Sequence, residues 1–151
     1  MELKQETIFE IGKFCILWAQ FENGPCENDC CSNKIWEFAN KNSVNIDILN
    51  QFLDIMCKRA RKENSSCEEY IDSIVPKQGQ KHRPTEKDID TMKKFLNKKT
   101  EDKLAGALLI IYRIRNNLLH GKKVGLDDQK EMFKSINTVL EDILGELKCK
   151  N

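Results

Sequence analysis

The chain has 151 residues, 40% hydrophobic and 32% charged, which suits one folded domain spanning residues 1–151 and excludes intrinsic disorder. Its net charge of +1 excludes a general nucleic-acid-binding surface, so any RNA contact must come from a local patch. No apolar run approaches the roughly 20 residues of a membrane span, and residues 1–6 are too charged for a secretory signal, so we expect a cytoplasmic protein with no membrane partner.

Apolar residues at helical spacing predict three helices and a short amphipathic segment in the first half of the chain. The first covers residues 3–21 and ends at the helix-breaking sequence Asn23-Gly24-Pro25. A short amphipathic segment follows at residues 35–39. A longer helix has its buried face between residues 46 and 60, and basic residues at its end match the helix dipole. A further short helix is predicted around residues 70–75.

Seven cysteines are present, and Cys26, Cys30 and Cys31 cluster in the polar loop after the first helix. We expect them to be reduced in a chain without a secretory signal. The spacing C-x3-C-C lacks the C-x2-C knuckle of common zinc sites, and Cys67 and His82 are isolated candidates for further ligands. Free thiols in a loop are therefore the favoured interpretation, with no metal or cofactor.

The second half begins with residues 76–84, a basic segment bracketed by prolines that we predict to be an exposed loop. Residues 85–96 form a helix that opens with the pair Thr85 and Asp88. Residues 101–118 form a broadly apolar helix, typical of a central position with neighbours on several sides, which stops at Gly121. An amphipathic helix follows at residues 132–147. No strand pattern is evident, so the predicted fold is an all-α helical bundle of about five to six helices.

Polar residues interrupt the central helix near its end, at Arg113, Arg115, Asn116, Asn117 and His120. Such side chains beside a core cost free energy unless they are paired or face a cleft. The same residue types suit phosphodiester cleavage. A histidine can move the proton of a ribose 2′-hydroxyl or of the leaving oxygen, and an arginine can hold the phosphate oxygens. An amide side chain can orient either the phosphate or the histidine.

Helical geometry places Arg113, Asn116 and His120 on one face, because Asn116 lies about 40° and Arg113 about 20° from His120. Arg115 projects about 140° from His120 on a regular helix. It could reach the same site through its long side chain, through distortion near the helix end, or through a second copy of the helix. The last alternative favours a dimer in which two motifs face each other.

Arg115-Asn116-Asn117-Leu118-Leu119-His120, followed by Gly121, resembles the motif of the HEPN superfamily (higher eukaryotes and prokaryotes nucleotide-binding). That motif is an arginine, four to six residues and a histidine, usually with a polar residue directly after the arginine. Arg113 would match the six-residue form, but Ile114 follows it, so Arg115 is favoured. Residues 16–22 are also similar to the aromatic and acidic opening of several HEPN proteins.

The resemblance implies a metal-independent endoribonuclease that acts as a homodimer on single-stranded or structured RNA. The 2′-hydroxyl would attack the phosphate and leave a cyclic phosphate end. By this resemblance His120 is the acid and base, Arg115 binds the phosphate and the transition state, and Asn116 is a positioning residue. A role as a toxin or defence effector with an inhibitory partner protein fits the family. The branch paired with nucleotidyltransferase antitoxins has a tyrosine where this chain has Lys122.

Other interpretations stay open at this point. The chain could be a catalytically silent HEPN module for dimerisation and for RNA or protein binding, or a helical interaction domain in which the motif is coincidental. Arg113, Lys122 and Lys123 are candidate RNA contacts, although the two lysines fit a solvated loop equally well. We expect His82 to be an exposed loop residue and Glu22 to be solvated.

Overall fold

The computed structural model describes residues 3–64, 66–119 and 129–150, with the side chains of 119 and 148–150 left out. Within these ranges the chain forms seven helices and no strand, which confirms the all-α bundle with one helix more than expected. The helices are α1 (Gln5–Asn23), α2 (Ser32–Lys41), α3 (Ile46–Glu63), α4 (Cys67–Ile74), α5 (Glu86–Leu96), α6 (Lys103–Leu119) and α7 (Lys130–Lys150). No described helix is both long and apolar enough to cross a membrane.

Three helices begin at a side chain that accepts a hydrogen bond from the first turn. Asn45 caps α3, Ser66 caps α4 and Thr85 caps α5, where its hydroxyl accepts from the backbone N–H of Asp88. The first backbone N–H groups of a helix have no carbonyl partner within the helix, and each cap side chain accepts a hydrogen bond from one of them. Each cap stabilises its helix by about 1 kcal/mol. The start predicted from Thr85 and Asp88 is confirmed.

The apolar helix α6 lies in the centre of the bundle and packs against α2, α3, α4 and α5. Its residues 104–111 are all buried, which confirms the central position predicted from its broad apolarity. The contact with α5 is especially close at Gly106, where an added Cβ would lie 2.7 Å from the Cβ of Phe95. The α6 helix is therefore held in one position along most of its length.

Helix α1 packs on α7 and pairs its charged residues with that helix. Lys13 lies 2.7 Å from Glu141, Glu6 lies 2.8 Å from Lys130, and Glu10 accepts from Asn137 at 2.9 Å. The face of α1 opposite its buried residues is exposed and carries the apolar side chains of Ile8, Phe9 and Ile16.

Candidate functional site

A cavity of about 400 Å³ lies between the C-terminal half of α6, the start of α5 and the loop that precedes α5. Three polar residues predicted from the sequence, Arg113, Arg115 and Asn116, line it together. The remaining lining residues are Ser32, His82, Arg83, Pro84, Thr85, Asp88, Met92, Leu109 and Tyr112. The cavity therefore combines a cationic wall from α6 with one buried carboxylate from α5.

Arg113 is buried at 5% exposure and forms no ion pair with any described carboxylate. Its Nη1 donates to the backbone carbonyl of His82 at 3.3 Å, and its Nε has no hydrogen-bond partner among the described residues. Burial lowers the pKa of Arg113, because the low-dielectric surroundings disfavour the charged form. A buried cation without a counter-ion is costly, and an anionic ligand in the cavity would offset that cost.

Arg115 lies beside Asn116 on the same cavity. Its Nη1 donates to Asn116 Oδ1 at 3.0 Å, and its Nη2 lies 3.6 Å from Glu22 Oε2 on α1. The long side chain thus brings Arg115 to the cavity within one chain, without a second copy. Glu22, which we expected to be solvated, is instead partly buried at 29% exposure and faces Arg115.

Asp88 is buried at 2% exposure at the start of α5. It accepts hydrogen bonds from Ser32 Oγ at 2.6 Å and from Trp36 Nε1 at 2.8 Å, which joins α5 to α2. The sequence identified Asp88 only as part of a helix start, because nothing local to it indicates these partners. Lys87 places its Nζ 4.2 Å from the centre of the Trp36 ring and covers this junction.

The loop at residues 76–84 closes one side of the cavity. Arg83 Nη1 donates to the carbonyl of Pro76 at 2.6 Å, which joins the two ends of the loop. His82 adopts a left-handed φ of 65° and is exposed, as expected, but its carbonyl accepts from Arg113. Sequence reasoning missed this role because a backbone acceptor carries no residue-type signal.

Asn117 turns away from the cavity, and its Nδ2 donates to the carbonyl of Ile74 at 2.9 Å. Of the two adjacent asparagines, Asn116 is the one on the cavity. His120 and Gly121, with the candidate RNA contacts Lys122 and Lys123, lie outside the described residues.

Within the described part of the chain, no group of three or more histidine, cysteine or acidic residues is placed to hold a metal ion. Comparisons with known protein families, with curated proteins and with solved structures found no match to this chain. The site is therefore interpreted from its own chemistry: two guanidinium groups and an amide are suited to a phosphate group and its neighbours.

Proposed function

We propose that the chain is a HEPN-like, metal-independent endoribonuclease that acts as a homodimer. The observation that carries the proposal is Arg113, a buried guanidinium that pairs with no carboxylate among the described residues and lies on a cavity shared with Arg115 and Asn116. A phosphodiester is the anion that such a planar, multiply donating group binds well. His120 follows Asn116 by four residues in the sequence.

The proposed reaction uses these groups in named roles. His120 takes the proton of the ribose 2′-hydroxyl, and the 2′-oxygen attacks the adjacent phosphorus. The bond from phosphorus to the 5′-oxygen breaks, and that oxygen leaves with a proton donated by the His120 imidazolium. The product carries a cyclic phosphate end. Arg115 stabilises the charge that develops on the phosphate oxygens, and Asn116 orients Arg115. Arg113 binds a phosphate of the RNA inside the cavity.

The exposed face of α1 supports the homodimer. It presents Ile8, Phe9 and Ile16 at 54%, 65% and 63% exposure. Gly12 and Ala19 continue the same face at helical spacing, and no charged residue interrupts it. In a two-fold interface a patch packs against its own copy, so an uncharged apolar face avoids contacts between like charges.

Two extensions of the proposal rest on the family resemblance alone. The first is that the protein is a toxin or defence effector in the cell, and the second is that a partner protein inhibits it. Lys122 and Lys123 are proposed to contact the RNA backbone.

The test is cleavage of single-stranded RNA by the purified protein in EDTA, beside His120→Ala and Arg115→Ala variants. We expect wild-type cleavage and a loss of at least about 100-fold in each variant. Arg61→Ala is the matched control, because Arg61 is an exposed arginine on α3 away from the cavity. Cleavage that survives both substitutions would contradict the site. RNA binding without cleavage by the wild type would identify the silent module instead.

A further inference from the structure

The loop at residues 24–31, between α1 and α2, holds two buried thiols. Cys26 is 0% exposed and Cys30 is 9% exposed, and their sulfur atoms lie 2.9 Å apart. Both cysteines are free. The sequence predicts free thiols in a polar loop. The thiols are free, but Cys26 and Cys30 are buried and face each other.

The backbone of the loop produces this contact. Cys26 N–H donates to the carbonyl of Phe21 at 3.2 Å, and Asn28 N–H donates to that of Glu22 at 2.9 Å. Glu27 and Asn28 then adopt left-handed φ angles of 53° and 66°, which turn the chain back over Cys26. Left-handed conformations of residues other than glycine cost on the order of 1 kcal/mol each, so the surrounding contacts hold this turn in place.

The two thiols differ in acidity. The hydrogen bond with Cys30 lowers the pKa of Cys26, although burial acts in the opposite direction. The same contact, together with burial, raises the pKa of Cys30. Cys26 therefore ionises first while Cys30 keeps its proton, and a thiolate is the form of cysteine that attacks an oxidant.

We propose that Cys26 and Cys30 form a reversible redox pair that closes to a disulfide when a hydroperoxide oxidises the protein. The Cys26 thiolate attacks one peroxide oxygen, the O–O bond breaks, and Cys26 becomes a sulfenic acid. The other oxygen takes up the proton that Cys26 released on ionising and leaves as water or alcohol. The Cys30 sulfur then attacks the Cys26 sulfur, the S–O bond breaks, and water leaves with the Cys30 proton. Two electrons pass from the two sulfurs to the peroxide, and a dithiol reductant reverses the change.

Closing the disulfide requires only a small movement. The sulfur atoms move from 2.9 Å to a bond of about 2.05 Å. The loop lies next to the cavity, since Glu22 before it faces Arg115 and Ser32 after it donates to Asp88. Oxidation therefore cross-links the segment that connects these two contacts.

The experiment treats the reduced protein with hydrogen peroxide, blocks the remaining thiols with an alkylating reagent and measures the intact mass and the cross-linked peptide. We expect the oxidised protein to weigh about 2 Da less than the reduced protein before alkylation, because two hydrogens are lost. After alkylation it should carry two fewer alkyl groups and contain a bond between Cys26 and Cys30. The melting temperature should rise by about 4–8 °C on oxidation and return on reduction. These readouts are independent of ribonuclease activity, so they test the redox pair whether or not the protein cleaves RNA.

Matched variants identify the sulfurs. Cys30→Ser, which keeps a hydrogen-bond donor beside Cys26, should accumulate a sulfenic acid at Cys26 that a dimedone probe traps, and Cys30→Ala, which removes that donor, should accumulate it more slowly. Cys15→Ser and Cys31→Ser should form the disulfide as the wild type does. Circular dichroism checks that each variant is folded. The proposal is overturned if the disulfide joins other cysteines, if exposed Cys15 oxidises while Cys26 and Cys30 stay reduced, or if the purified protein holds a stoichiometric zinc ion on these thiols.

Discussion

The guanidinium of Arg113 and the carbonyl of His82 are joined by a 3.3 Å hydrogen bond across 31 positions of sequence. The bond fastens the loop at residues 76–84 to α6 and fixes one edge of the cavity. Its acceptor is neutral, so the positive charge of Arg113 is oriented without being cancelled. In the proposed function this leaves the charge free to bind a phosphate.

Replacing Arg113 by an uncharged residue should weaken RNA binding without destabilising the fold. We expect Arg113→Met to leave the free energy of unfolding unchanged or to raise it by about 1 kcal/mol, because it removes a buried charge that has no carboxylate partner in the described part of the chain and keeps the packing volume. RNA binding should weaken about 10–100-fold, the value of a charge-assisted hydrogen bond to phosphate. Thermal unfolding and RNA titration measure the two effects, with Arg61→Met as control. A large loss of stability with unchanged RNA binding would make Arg113 purely structural.

Asp88 should be a structural anchor of the cavity. Asp88→Ala leaves the half-buried donors of Ser32 and Trp36 without their acceptor, so we expect the free energy of unfolding in urea to fall by about 2–4 kcal/mol. Asp88→Asn should cost less than about 1 kcal/mol, since an amide can accept from Trp36 and donate to Ser32. Asp90→Asn is the control, because Asp90 forms only an exposed ion pair with Lys94. Equal losses for the alanine and asparagine variants would refute the hydrogen-bond explanation.

Two glycine-to-alanine substitutions should change the stability of the protein in opposite directions. Gly106→Ala places a Cβ 2.7 Å from Phe95 Cβ, so we expect a destabilisation of about 1–3 kcal/mol despite the better helix propensity of alanine. Gly145→Ala on α7 meets nothing within 4 Å and should stabilise by about 0.5–1 kcal/mol. Chemical denaturation of both variants measures the difference. Stabilisation by Gly106→Ala would show that α5 and α6 are packed less closely.

The homodimer can be tested on α1. Ile16→Glu places a charge in the centre of the exposed apolar face, so we expect it to convert the dimer to a monomer at micromolar concentration, as measured by light scattering. Ile46→Glu is the control, because Ile46 is also exposed, at 48%, but lies on α3. If the wild-type protein is also monomeric at micromolar concentration, the proposed homodimer is wrong. A dimer that survives Ile16→Glu would place the interface elsewhere.

Local sequence patterns predicted most of the fold. The spacing of apolar residues located the helices, since one buried face repeats every 3.6 residues wherever a helix packs on a core. The broad apolarity of α6 predicted its central position, and Thr85 predicted the start of α5. The helix count was too low because the ten residues of α2 span few turns over which a period can be recognised, so they were predicted only as a short amphipathic segment.

The candidate site was also predicted only in part. By itself the sequence determined that α6 carries polar residues near its end, because Arg113, Arg115 and Asn116 stand out against an apolar helix. Only the tertiary structure decided what surrounds them. Asp88 meets Trp36 across 52 positions, and the carbonyl of His82 meets Arg113 across 31. Such contacts depend on how the helices pack and not on any local pattern, and a backbone carbonyl is the same in every residue, so no inspection of the sequence could have found them.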